Sequence, residues 1–215
     1  MLRPGVLLVA VLVSALVALP ATASARHRGR PAPTCKRLAG KNPAAHSRGV
    51  YVYQSKGGNY VVCSGRGKVR KLPNQDGGLT NDLSLFVIAG NFVAWDDSML
   101  INPVAPVDDY VSVLNVKTGK LRVNEAFSWP DQNTGNSQTS VLAIVLAPNG
   151  SVAWLSALAP IGGGPQSAFS VMRIGSDGGQ STLAQGPNIS GLTASSDGST
   201  VSWTNNGVPA SAPLA

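Results

Sequence analysis

The feature that most narrows what this chain can become is a repeated unit: an apolar run, a tight turn, and a short strand closing on an aromatic residue. One copy runs from Leu83 to Ala89, turns at Gly90-Asn91 and closes on Phe92-Val93-Ala94-Trp95. Another runs from Val141 to Ala147, turns at Pro148-Asn149-Gly150 and closes on Ser151-Val152-Ala153-Trp154. A third runs from Ile189 to Ala194, turns at Ser195-Ser196-Asp197-Gly198 and closes at Trp203, while the N-terminal unit keeps only Gly49-Val50-Tyr51-Val52-Tyr53. Glycine, alone or after Asn or Asp, accepts the positive φ of a short hairpin turn, so each copy predicts a β-hairpin.

A second hairpin follows each of the first three aromatics. It runs Tyr60 to Leu72 around Gly65-Arg66-Gly67, Tyr110 to Val123 around Lys117-Thr118-Gly119, and Phe169 to Ala184 around Asp177-Gly178-Gly179. Two hairpins make a four-stranded sheet, the unit of a propeller-like array. The closing aromatics Tyr53, Trp95, Trp154 and Trp203 are 42, 59 and 49 residues apart, close to the period of about 40–50 residues that such units keep. Charged residues make up only 13% of the chain and glycine is abundant, which suits short strands and tight turns. The expected class is therefore all-β: a propeller-like array of about four repeats, closed or incomplete, over units of about 35–75, 79–125, 140–185 and 188–215. The alternative is a bent multi-sheet β stack, because a short tail, Val208 to Leu214, stands where the last unit's second hairpin belongs.

Three segments carry a resemblance: Val50 to Tyr53 with Tyr60 to Cys63, the strand Phe92-Val93-Ala94-Trp95, and the ending Val201-Ser202-Trp203-Thr204-Asn205-Asn206-Gly207-Val208-Pro209. On these, residues 35–215 resemble the β-propeller-type repeats of the TolB and WD40 kind, in particular a group of secreted actinobacterial proteins. The resemblance implies a fold and brings no activity with it.

The first residues read as an address. Arg3 precedes an uncharged stretch from Gly5 to Leu19, followed by the small residues Ala21-Thr22-Ala23-Ser24-Ala25. That is the layout of a signal peptide over residues 1–25, too short to span a bilayer as a helix. Residues 26–34 read as a basic linker, and no later segment is apolar enough to span. The expected location is secreted, or associated with the cell envelope. Export makes oxidation the default, so the only two cysteines, Cys35 and Cys63, are expected to form a disulfide. Closing that loop of about 28 residues stabilises a fold by roughly 3–4 kcal/mol on the chain-entropy argument.

The residues present exclude several chemistries. With His27 and His46 as the only histidines and Glu125 as the only glutamate, a zinc-protease helix motif cannot form. No nucleophile-elbow or phosphate-loop spacing occurs. His46, in a polar stretch, reads as a solvated loop residue, so no catalytic residue and no cofactor are assigned. Carboxylates do pair at Asp96-Asp97 and Asp108-Asp109. They are weak metal candidates, or an acid and base for glycan or phosphoester hydrolysis. Adjacent residues of a strand point to opposite faces, so the plainer expectation is solvated strand ends. Trp95, Trp154 and Trp203 recur at one repeat position and read as core rather than as a sugar-stacking row. Trp129 stands apart, in an irregular insertion from Glu125 to Thr139; Ala157 to Ser167 is a second irregular loop.

Charge is the remaining signal. Residues 26–71 hold twelve lysines and arginines and no acid, whereas 72–215 hold four basic and ten acidic residues. A basic unit of this kind attracts polyanions by counterion release. The anion-binding candidates are Lys36, Arg37, Lys41, Arg48, Lys56, Arg66, Lys68, Arg70 and Lys71. Tyr51, Tyr53 and Tyr60 fall inside strands expected to be packed, which leaves no stacking platform for nucleic acid. The leading expectation is a non-enzymatic binding or scaffold protein contacting an anionic wall polymer or surface. Its rivals are a hydrolase using the aspartate loop and a structural envelope protein with no discrete ligand.

Overall fold

The computed structural model describes residues 42–55, 58–65, 69–73, 80–100, 107–126, 137–160, 165–166 and 168–215. Among them the chain is all-β, with no helix. Sheet 1 contains β1 (Ala45–Ser47), β2 (Val50–Gln54), β3 (Tyr60–Ser64) and β4 (Arg70–Lys71). Sheet 2 contains β5 (Thr80–Ala89), β6 (Phe92–Leu100), β7 (Val107–Asn115) and β8 (Leu121–Glu125). Sheet 3 contains β9 (Ser137–Leu146), β10 (Val152–Pro160), β11 (Ala168–Ile174) and β12 (Gln180–Gly186). Sheet 4 has three strands, β13 (Ile189–Ala194), β14 (Thr200–Asn205) and β15 (Val208–Pro213). Each sheet is an antiparallel meander in chain order.

The continuous apolar runs follow from burial on both faces of the middle strands. In β6, Val93 and Trp95 point back into an apolar cluster with Val50, Val52, Val62 and Leu72 of sheet 1 and its flank. Ala94 points forward into a cluster with Trp154 and Met172 of sheet 3. In β10, Val152 and Trp154 point back and Ala153 and Leu155 forward, where they meet Trp203 and Val201 of sheet 4. Alternate residues thus serve alternate neighbours. Each closing tryptophan seals its sheet against the preceding one.

The first strands carry the stack. β1 packs on β5, β5 on β9, and β9 on β13, and no comparable packing joins β13 back to β1 among the described residues. The first strands of sheets 2, 3 and 4 each break register with the next strand, near Leu85, Leu142 and Gly191. Such bulges bend and twist a strand.

Arginines tie the sheets in one direction. Arg70 of β4 donates through Nε to the Val116 carbonyl (2.8 Å) and through Nη2 to that of Lys117 (3.2 Å), at the turn of sheet 2. Arg122 of β8 donates to the carbonyls of Gly175 (2.7 Å) and Gly150, at two turns of sheet 3. Arg173 of β11 reaches the Pro213 carbonyl of sheet 4 (2.9 Å). Gly119 makes the first clasp sterically feasible: a Cβ there would lie 2.5 Å from Arg70 Nη1, and its φ is +81°.

Among the described residues the array does not close into a propeller. At the end of the stack, Ser202 and Thr204 occupy the forward face of β14, opposite in direction to Val201 and Trp203. The back face of sheet 1 instead carries Tyr51 and Tyr53 with Cys63. A hydroxyl-bearing face and an aromatic face offer no shared apolar interface. The tail after Trp203 forms strand β15, an edge strand in which Pro209 and Pro213 are tolerated.

Candidate functional site

The aspartate pairs sit in strands, not in a solvated loop. Asp96, Asp97 and Asp109 are 4%, 0% and 5% exposed, which overturns the expectation of solvated strand ends. Asp96 and Asp97 do take opposite faces of β6. Asp96 and Ser98 share the face toward sheet 3, and Ser98 lies directly across from Asp109 of β7. Ser98 Oγ donates to Asp109 Oδ1 (2.7 Å) and also lies 3.4 Å from Asp96 Oδ2, which accepts from Ser84 Oγ at 2.9 Å. Asp109 Oδ2 accepts from the Val141 amide (2.8 Å), where the ladder between β9 and β10 shifts register, and the Asp109 amide donates to Thr139 Oγ1 (3.1 Å).

This arrangement has one consequence for charge. Burial pushes the Asp96 carboxyl up to about 7, and the nearby Asp109 carboxylate adds to the rise against the Ser84 and Ser98 hydroxyls. The network is an interlock between sheets 2 and 3. Carboxylates bridged by one serine and closed from solvent leave no room for a sugar ring between them. Among the described residues no three His, Cys, Asp or Glu side chains could hold a metal ion. The Asp108 side chain lies outside the described residues.

His46 belongs to β1, not to a loop, and its exposed ring stacks on Tyr51 (6.2 Å), which stacks on Tyr53 (6.0 Å). Cys63 is fully buried and is not a free thiol; Cys35, its expected partner, lies outside the described residues, as does Trp129. The two irregular loops are shorter than expected, since Ala157 to Pro160 continue β10 and Ser137 to Thr139 begin β9.

Of the basic candidates, Lys36, Arg37, Lys41, Lys56, Arg66 and Lys68 lie outside the described residues. Arg70 is half-buried, and its guanidinium is engaged in the clasp to sheet 2, where it supports the fold. Arg48 and Lys71 are exposed, and their side chains make no hydrogen bond or ion pair among the described residues.

Arg48 opens onto a cavity to which all four sheets contribute. That cavity, of about 200 Å³, is lined by Ser47 at the end of β1 and Arg48 after it, Gly90 after β5, Pro148 after β9, and Ser195 and Ser196 after β13. The sequence signalled Arg48 as a cation only. Nothing local marks the serines, because four distant turns become neighbours only once the first strands gather. For the acid network a signal did exist: the spacing of Asp96 and Ser98 places both on one face of a strand.

Among the described residues, no helix is long and apolar enough to cross a membrane. Compared with known proteins, the chain matches no protein-family model and no curated protein.

Proposed function

We propose that this is an exported binding or scaffold protein, not an enzyme, whose basic first unit contacts an anionic polymer of the cell surface. In this reading residues 1–25 are a cleaved signal peptide and Cys63 bridges to Cys35. The four sheets form an incomplete propeller-like array of the TolB and WD40 kind. The observation that carries the proposal is charge segregation: twelve lysines and arginines and no acid over residues 26–71.

Burial sharpens the contrast. Asp96, Asp97 and Asp109 are enclosed, so they offer no carboxylate on the surface to compete with a polyanion. The same burial removes the main support for a hydrolase, which needs its acids open to substrate.

The test is retention of the mature protein on isolated envelopes and on a poly(glycerol phosphate) matrix, from about 50 to 500 mM salt. Retention is expected at low salt, and the triple neutralisation Arg66→Gln, Lys68→Gln, Lys71→Gln lowers the slope of log affinity against log salt by about 2–3. Absence of wild-type retention at low salt overturns the proposal.

A further inference from the structure

The cavity shared by the four sheets differs from the rest of the surface in how its arginine is held. Ser47 and Val50 pair directly, so β1 and β2 are joined by a two-residue turn, with φ of +43° at Arg48 and +82° at Gly49. Sheet 4 uses the same turn between β14 and β15, with φ of +49° at Asn206 and +81° at Gly207. Asparagine suits the first position; arginine meets a steric cost there that asparagine largely avoids. A costly residue at a turn, where a common one serves its counterpart, points to a role for the side chain.

The guanidinium is also the one left unused. Among the described residues, Arg70, Arg122 and Arg173 each clasp carbonyls of the following sheet, whereas Arg48 makes no hydrogen bond or ion pair. Ser47 and Ser196, which line the same cavity, make no side-chain hydrogen bond among the described residues. The acid of the sheet 4 turn, Asp197, is engaged within that turn: its Oδ1 accepts from Ser195 Oγ (2.6 Å), Ser199 Oγ (2.9 Å) and the Ser199 amide (3.0 Å). What faces the cavity is therefore one free cationic fork and two free hydroxyl donors, arriving from sheets 1 and 4.

We propose that this cavity is a binding site for a single phosphate group, with Arg48 as its charged ligand and the Ser47 and Ser196 hydroxyls completing the donor set. A guanidinium donates in parallel to two oxygens of a tetrahedral anion, and hydroxyls from another direction take those that remain. The inference deepens the polyanion reading and rests on it for the source of the phosphate. It assigns recognition of one group along the polymer to the cavity, and the general attraction to the remaining cations.

The test uses the mature protein and two probes, inorganic phosphate and poly(glycerol phosphate), with binding followed by amide chemical shifts and calorimetry. Arg48→Asn is the chosen variant, because an Asn-Gly turn keeps the fold while removing the fork. Lys117→Gln removes one exposed charge of sheet 2, outside the basic unit, without touching the cavity. For wild type we expect phosphate-dependent shifts at Ser47, Arg48, Gly90 and Ser196. Affinity for phosphate should fall at least about tenfold in Arg48→Asn and change little in Lys117→Gln.

Equal losses in the two variants, or no shift at those four amides, overturn the cavity site. Retention of Arg48→Asn on the polymer, with retention lost in the Arg66, Lys68, Lys71 variant, also overturns it as the polymer's site and leaves the polyanion reading intact. Loss of phosphate binding in Arg48→Asn, in a protein that never bound the polymer, supports the site with free phosphate as its ligand and removes the polyanion reading.

Discussion

Two junctions of the stack are built to one plan and finished differently. Between sheets 2 and 3, as between sheets 3 and 4, a tryptophan from the same repeat position seals an apolar cluster and an arginine clasps the next sheet. At the first junction the Trp154 indole donates to the Ala126 carbonyl (2.5 Å), and Asp96, Ser98 and Asp109 form a buried network beside it. At the second, the Trp203 indole N–H is buried without a partner, and no buried carboxylate is present among the described residues. The apolar cluster supplies adhesion at both, while the polar groups add register and a dependence on protonation at one.

The largest effect should come from the tryptophans. Trp154→Ala removes a fully buried side chain and a hydrogen bond, and is expected to cost about 4–5 kcal/mol of stability; Trp203→Ala, at the open end of the stack, about 3 kcal/mol. Denaturant unfolding of both variants checks the order, and a larger loss at Trp203 would break the comparison.

The pH dependence should separate the junctions next. Because the folded Asp96 carboxyl sits at about 7, well above the ordinary carboxyl value of about 3.9, the folded protein binds a proton that the unfolded chain has already lost. The resulting penalty is absent below about pH 4, grows as pH rises, and is complete above about pH 7, where it reaches at most about 4 kcal/mol. Unfolding of wild type between pH 4 and 8 should show stability falling as pH rises. Asp96→Asn should flatten that slope and be the more stable protein at pH 8. An unchanged slope would place the proton elsewhere.

The clasps give the smallest difference. Arg122 binds two carbonyls from a half-buried position, and Arg122→Gln is expected to cost about 2 kcal/mol. Arg173→Gln loses one exposed bond and should cost about 0.5–1 kcal/mol. Equal losses in thermal unfolding would mean that the clasps contribute alike whatever their burial.

Much of the secondary structure was legible because its causes are local. Gly90 and the Asn149-Gly150 pair announce their turns, and the runs ending at Trp95, Trp154 and Trp203 form the strands that close those hairpins. Two strands have no local signature. β1 has only three residues and no apolar alternation, and exists through its pairing with β2. β15 contains two prolines, which argue against a strand until its edge position is known.

The site was less legible. The aspartates stand out as a pair of pairs and their opposed directions follow from strand geometry, yet nothing nearby in sequence foretells that β9 crosses the end of β7 and encloses Asp109. Arg70 and Arg48 looked alike as members of one basic unit, and only their surroundings separate a clasp from a free cation.

The sequence by itself determined that this chain is all-β, where its hairpins turn and which aromatic closes each, because turn chemistry and side-chain alternation act over a few residues. The tertiary structure decided which faces are covered, that the stack has two unlike ends, and which charges are buried, clasped or left open at the shared cavity. Those outcomes depend on which sheet becomes the neighbour of which, and contacts between units about fifty residues apart leave no local trace in the chain.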